Sequence, residues 1–291
     1  AALPLFKDKL ASPTAPSSPS STSEPIPDPL SNVNFDLTKA RVETAFPQAL
    51  TNSELVTRAS NALLPYGYGS STLLCASLCC DEVCQELDDE FGKVYDKHYF
   101  NMGGLAGFPF GGITSFGAMA NHIPDGGSCL VLYGPHVGVD SLGTIGTVER
   151  RGKRKGGSCC GSACAALDYV RGITERGASE RPVPENALDA EQYFVGKALM
   201  PFAERLTEAA EPMLELPFAL YEAQDDLLSQ IVEQGAGGVG DDGKIALLGG
   251  IQINTPEGLS DYFLPLRMEV RNNKNEVLAE LLDKFEKGGK K

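Results

Sequence analysis

The stretch Ser128-Cys-Leu-Val-Leu-Tyr-Gly-Pro-His-Val-Gly-Val-Asp140 decides how the rest of the chain is read. Cys129–Tyr133 is a five-residue apolar run set between glycines, which is the mark of a strand buried on both faces. His136 follows three residues after its end. Upstream, Thr72–Leu78 is a second short apolar run, and Cys79, Cys80 and Asp81 come directly after it. Helical periodicity then runs from Glu82 to about His98, with Val83, Leu87, Phe91, Val94 and Tyr95 on one side. Downstream, Cys159 and Cys160 immediately precede a helical pattern from Gly161 through Arg176, with Ala165, Leu167, Val170 and Ile173 on its buried side. Strands alternating with helices predict an α/β fold, a mostly parallel central sheet flanked by helices.

The flanks extend this pattern. Asp36 can cap a helix to Phe46, stopped by Pro47, and Asn52 or Ser53 starts another to Leu64, stopped by Pro65. Residues 145–149 read as a short strand, and two acidic amphipathic helices are expected near 190–209 and 213–233. Residues 244–253 and 261–271 alternate as an antiparallel pair, and a charged helix from Asn275 is expected to close the chain. All of this is one domain, 34–291. Before it, residues 11–30 hold six Pro, six Ser and two Thr, a composition that predicts disorder over 1–33. The hydroxyl-rich, acid-poor stretch before Glu24 suits the remnant of an organelle transit peptide; a plain solvated tail is the alternative.

Charge narrows the functions available. Thirty-nine Asp and Glu against 25 Lys and Arg give a net charge of −14, and phosphate backbones repel such a chain, which argues against a nucleic-acid partner. No run approaches the eighteen apolar residues that suggest a membrane-spanning helix. The eight cysteines, at 75, 79, 80, 84, 129, 159, 160 and 164, include two adjacent pairs and no Cys-x-x-Cys. A chain this long needs no disulfide staples, so reduced thiols, some of them metal ligands, are the better reading.

Cys79 or Cys80, His136, and Cys159 or Cys160 each stand where a strand has ended or a helix begins. Loops and helix N-termini converge at that edge of an open α/β sheet. Two thiolates and an imidazole are a sensible ligand set for Zn²⁺, leaving a fourth position open. Spacing alone leaves inert buried thiols and a hydrogen-bonded histidine as the alternative. Asp81, two residues beyond Cys79, is placed either to cap a helix or to accept a hydrogen bond from a water on the metal. The segment Gly103-Gly-Leu-Ala-Gly-Phe-Pro-Phe-Gly-Gly112 lacks the Gly-Lys-Ser/Thr of a phosphate loop. Its aromatic residues suit a small apolar pocket, with tight-turn packing as the alternative. The basic run from Arg150 to Lys155 reads as a solvated loop, or as a rim that attracts anions if it folds close by.

The segments LCCDEV (78–83), GGLAGFPFGG (103–112), FGAMANHIPDGGSCLVLYGPHVGVD (116–140), GTVERRG (146–152) and GGSCCGSACAAL (156–167) resemble the limiting-CO2-inducible protein B/C family of algae and diatoms, the theta-class carbonic anhydrases. The resemblance runs over about residues 35–285. It implies a fold similar to that of beta-carbonic anhydrases, whose zinc motifs are Cys-x-Asp-x-Arg and His-x-x-Cys-Gly-Gly. Carried over, these give Cys79, His136 and Cys160 as zinc ligands and Asp81 as the catalytic carboxylate. Two departures stand out: Cys160 lies 24 residues after His136 instead of three, and Val83 occupies the position of the arginine.

The activity implied is reversible hydration of CO2 to bicarbonate by a zinc-bound hydroxide, within a CO2-concentrating mechanism in a plastid. Phe108 is a candidate wall of the CO2 pocket, and His98 or His122 a candidate proton carrier. A homodimer, or a hetero-oligomer with a related subunit, is the implied assembly. The other function consistent with the resemblance is a catalytically weak, zinc-containing subunit of such a complex, a reading that the missing arginine supports.

Overall fold

The structure, a computed structural model, describes residues 35–150, 152–153 and 155–285. The predicted disordered segment 1–33 lies outside them. Among the described residues the strands are β1 (Leu50–Thr51), β2 (Leu73–Ser77), β3 (Tyr99–Asn101), β4 (Cys129–Tyr133), β5 (His136–Gly138), β6 (Thr147–Val148), β7 (Gly157–Ser158), β8 (Lys244–Asn254), β9 (Tyr262–Asn272) and β10 (Val277–Glu280). The α-helices are α1 (Asp36–Ala45), α2 (Asn52–Leu63), α3 (Gln85–Val94), α4 (Gly112–Ala120), α5 (Gly161–Thr174), α6 (Ala190–Leu199), α7 (Ala203–Glu208) and α8 (Pro212–Gly235).

One sheet in the order β1-β9-β8-β4-β2-β3 organises the chain, with β5 also on β8 and β10 also on β9. Its inner pairings, β3–β2, β2–β4, β4–β8 and β5–β8, are parallel, while β9, β1 and β10 add antiparallel strands on one side. Side chains alternate between the two faces, as the period of two requires. Leu74 and Ala76 of β2, Leu130 and Leu132 of β4, and Ala246 and Leu248 of β8 enter one core. Leu73, Cys75, Cys129, Val131, Tyr133, Ile245 and Leu247 enter the other. Helices α2, α3, α5 and α6 cover the first face; α1, α4 and the C-terminal half of α8 cover the second. That double cover explains the unbroken apolar character of β4 and of residues 245–251 in β8.

Several elements depart locally from the sequence pattern. Glu82–His98 is not one helix: a 3-10 turn over Glu82–Cys84 leads into α3, and Asp96 and Lys97 at positive φ turn the chain toward β3. The helix expected over 190–209 breaks at a 3-10 turn, Met200–Phe202, which contains Pro201 and separates α6 from α7. The charged helix expected from Asn275 is instead a hairpin leading into β10. Asn272 Oδ1 accepts the Lys274 and Glu276 N–H groups, and Asn275 adopts φ +63°, so local side-chain bonds win over helix propensity. Helix α4, inside the glycine-rich region, had no periodic signal in the sequence reading.

Tight turns shape the glycine-rich loop. Gly107, at φ +87°, lies so close to Gly134 that a Cβ on it would sit 2.4 Å from the Gly134 carbonyl oxygen. Gly134, at φ +151°, would in turn place a Cβ 1.7 Å from the carbonyl oxygen of Gly250. Only glycine permits such backbone approaches, and they bring the loop against the ends of β2 and β4, and Gly134 against the middle of β8.

Candidate metal centre

Three chain segments deliver the central side chains. Strand β2 ends at Ser77, and Cys79 follows it; β4 ends at Tyr133, and His136 opens β5. Cys160 is the N-cap residue of α5, with extended backbone angles. The Cys79, His136 and Cys160 donor atoms all lie within 4.8 Å of one another, and all three residues are buried. The two sulfurs are 3.8 Å apart. Two thiolates each about 2.3 Å from one ion in tetrahedral geometry stand at about this separation. His136 Nε2 is buried and has no hydrogen-bond partner among the described residues. An unpartnered imidazole nitrogen beside two close sulfurs is costly in a dry core, and a cation removes that cost. The set can hold a metal.

This geometry also separates the adjacent cysteines. Cys80 is exposed and outside the cluster, while Cys79 is buried in it. Cys159 is buried but faces the opposite nitrogen of His136, its sulfur 3.5 Å from Nδ1.

Protons in the cluster are shared unevenly. Cys79 is held far below the ordinary thiol range, chiefly because the Cys160 thiol donates to it, with Cys84 donating as well; burial opposes this. Cys160 is raised by the same contact with Cys79 and by burial. Burial works against a second proton on His136. The sulfurs around it, Cys84 foremost, more than offset burial and raise its pKa.

The 24-residue gap between His136 and Cys160 is filled by an excursion that returns to its starting point. Gly138 N–H donates to the Cys159 carbonyl, Gly146 N–H to the Gly138 carbonyl, and Cys159 N–H to the Gly146 carbonyl. Between these closures, β6 and β7 pair as an antiparallel hairpin. Arg150 lies on that hairpin and reaches Asp81 through two parallel bonds, Nη1 to Oδ1 and Nη2 to Oδ2, each 2.7 Å long. It also pairs with Glu82. Thus the loop that lengthens the motif supplies the cation that Val83 does not.

Burial raises the Asp81 pKa, and the Arg150 bonds more than offset this, leaving the carboxyl below its ordinary range. Asp81 is also an N-cap, accepting the Val83 N–H at 3.4 Å. Capping and ion pairing coexist at this residue. Of the basic run, Arg150 is therefore neither solvated loop nor open rim.

Other candidates fall elsewhere. Phe108 is fully buried in the core that contains Cys79 and Cys160, stacked on Phe110 at 5.2 Å between ring centroids. It lines a groove of about 1020 Å³ with Phe110, Phe194 and Phe202, and that groove's walls include none of the three central residues. A cavity of about 510 Å³, lined by Cys79, Cys80, Asp88, Lys97 and Tyr99, does reach one of them. His98 and His122 are exposed and line neither space.

Two neighbours escaped the sequence reading. Cys84 follows Cys79 by five residues, but a ligand role needs no such spacing. Asn254 Oδ1 accepts from His136 Nδ1 at 2.8 Å. Its signal was available: it ends β8, the strand parallel to β4, at the same sheet edge as the others.

The family model for limiting CO2-inducible proteins B/C, beta carbonic anhydrases, matches residues 49–272. The chain belongs to this family. Among solved structures, PtLCIB4, a homolog of the limiting CO2-inducible protein LCIB, is 48% identical with a TM-score of 0.79. That match covers 84% of this chain and 99% of that one. The structure of limiting CO2-inducible protein LCIB itself is 19% identical with a TM-score of 0.63, covering 81% of this chain and 96% of that one, a likeness of fold. A comparison with curated proteins gives no match. The α/β fold with a mostly parallel sheet is the family's fold, and no helix among the described residues is long and apolar enough to cross a membrane.

Proposed function

We propose that this chain is a zinc-dependent carbonic anhydrase, converting CO2 and water reversibly to bicarbonate and a proton. The observation that carries the reading is the buried Cys79–His136–Cys160 cluster with a bare His136 nitrogen, in a chain of a beta carbonic anhydrase family. When bound, zinc makes hydroxide available near neutral pH by lowering the pKa of water from 15.7 toward about 7. Asp81, kept ionised by Arg150, accepts a hydrogen bond from the attacking oxygen's proton and turns a lone pair toward CO2. The reading as a catalytically weak subunit drew on Val83 at the arginine position; the Arg150–Asp81 pair favours the active enzyme. A single domain over 34–291, a plastid location, a role in CO2 concentration and assembly as a dimer or hetero-oligomer belong to the same proposal.

Metal analysis paired with CO2-hydration assays tests it. Purified protein is expected to carry about one zinc per chain, because the cluster makes one site, and to hydrate CO2. Zinc without activity would leave the weak-subunit reading, and neither would defeat both.

Oxidation supplies a second test. Sulfurs 3.8 Å apart are poised to join once metal is absent. Oxidised glutathione would take two electrons and two protons from Cys79 and Cys160, leaving a protein disulfide and two molecules of reduced glutathione. Metal-free protein so treated is expected to take up no zinc until a dithiol restores both thiols, because only thiolates ligate. Equal zinc uptake by fully oxidised and reduced protein would contradict the ligand assignment.

A further inference from the structure

His136 has two ring nitrogens, and which one carries a proton decides which can meet a metal. The structure settles this through a residue 118 positions away. Asn254 is fully buried at the end of β8. Its Nδ2 lies 2.9 Å from the Val83 carbonyl oxygen and 2.8 Å from Asp261 Oδ2. A backbone carbonyl only accepts, so the Asn254 nitrogen must face that side. Its Oδ1 is thereby turned toward His136 Nδ1, 2.8 Å away. Because Oδ1 only accepts, Nδ1 must donate. The Cys159 thiol also donates toward the same oxygen, at 3.6 Å.

The next link is just as constrained. Asp261 is buried, and its Oδ1 accepts the Thr255 N–H at 2.7 Å and the Thr255 hydroxyl at 3.2 Å. Those bonds leave Oδ2 aimed at Asn254. The Asn52 N–H donates to the Asp261 backbone carbonyl, anchoring this segment beside α2.

We infer that Asn254 is a positioning residue which, held by Asp261 and the Val83 carbonyl, keeps the proton of His136 on Nδ1 and so presents a bare Nε2 to the Cys79–Cys160 pair. The inference rests on the metal-site reading above for what Nε2 meets, but not for which nitrogen is protonated. Free imidazole in water exchanges between tautomers; here an amide whose own orientation is locked from behind selects one. The arrangement is the ligand-orienting kind of contact, whose removal typically weakens metal binding by about 10- to 100-fold.

Nitrogen-15 spectra of the full-length protein test it, since only three histidines need be told apart. In wild-type protein, metal-free and cadmium-loaded, His136 Nδ1 is expected to carry a proton in a hydrogen bond, with cadmium coupled to Nε2. Asn254→Leu is expected to move the Nδ1–H resonance upfield and weaken cadmium and zinc binding by about 10- to 100-fold in chelator competition. Should that variant fail to fold, Asp261→Asn replaces it. This substitution turns an amide N–H toward Asn254 Nδ2 and is expected to weaken metal binding in the same direction. An unprotonated Nδ1 in wild-type protein would overturn the inference. So would variant affinity within twofold of wild type with the Nδ1–H resonance unmoved. If wild-type protein binds neither metal, the proposed function fails, and the Nδ1 proton still decides this inference.

Discussion

His136→Ala is expected to bring zinc from about one equivalent per chain to near none, and CO2 hydration to the uncatalysed rate. The reason lies in the donor set. Cys79 and Cys160 remain 3.8 Å apart after the substitution, but two thiolates are one ligand short of a catalytic zinc site. The vacated imidazole position is sealed inside the protein, with Asn254 and Cys159 behind it. Fold should survive, because the sheet pairing of β5 with β8 is made by backbone groups. The buried Asn254 oxygen loses its closest donor, a cost of about 1–3 kcal/mol, so melting temperature is measured alongside zinc content. Full zinc occupancy in a folded His136→Ala protein would show that the metal is held elsewhere.

Asp81→Asn should separate turnover from binding. The substitution leaves the three clustered donors untouched, so zinc content is expected to stay at the wild-type level. Asparagine keeps one oxygen but turns an N–H₂ toward a guanidinium, so one of the two 2.7 Å bonds to Arg150 becomes a repulsion. The carboxylate that would orient the nucleophile is gone, and kcat is expected to fall by about 10²–10⁴-fold, the usual contribution of such a group. Arg150→Ala should lower kcat in the same direction, and its effect should not add to that of Asp81→Asn, since the two residues act as a pair. A pure capping role predicts otherwise: asparagine caps about as well as aspartate, so stability would change little. Unchanged kcat with full zinc would reduce Asp81 to a cap and an ion-pair partner.

The sequence by itself determined the α/β layering and the central strands. Five consecutive apolar residues at 129–133, and a comparable short run at 72–78, have the length and turn-forming flanks of strands covered on both faces. It also determined where the donors would gather. Cys79, His136 and Cys160 each sit at a strand end or helix start, and the sheet's handed, parallel geometry brings such positions to one edge whatever lies between them. Local rules failed where local and long-range bonds competed. The charges after Asn275 looked helical, yet the Asn272 turn and an open edge of β9 made a strand.

Only the tertiary structure decided which cysteine of each pair joins the cluster with His136, because neighbours in an adjacent pair differ in direction rather than in chemistry. Only it decided that Arg150, 69 residues from Asp81, occupies the role left open by Val83. The tautomer of His136 was decided furthest from its own sequence. It depends on Asn254, whose amide is oriented by Asp261 and by the carbonyl of Val83, and a hydrogen-bond direction is fixed only when every partner is in place.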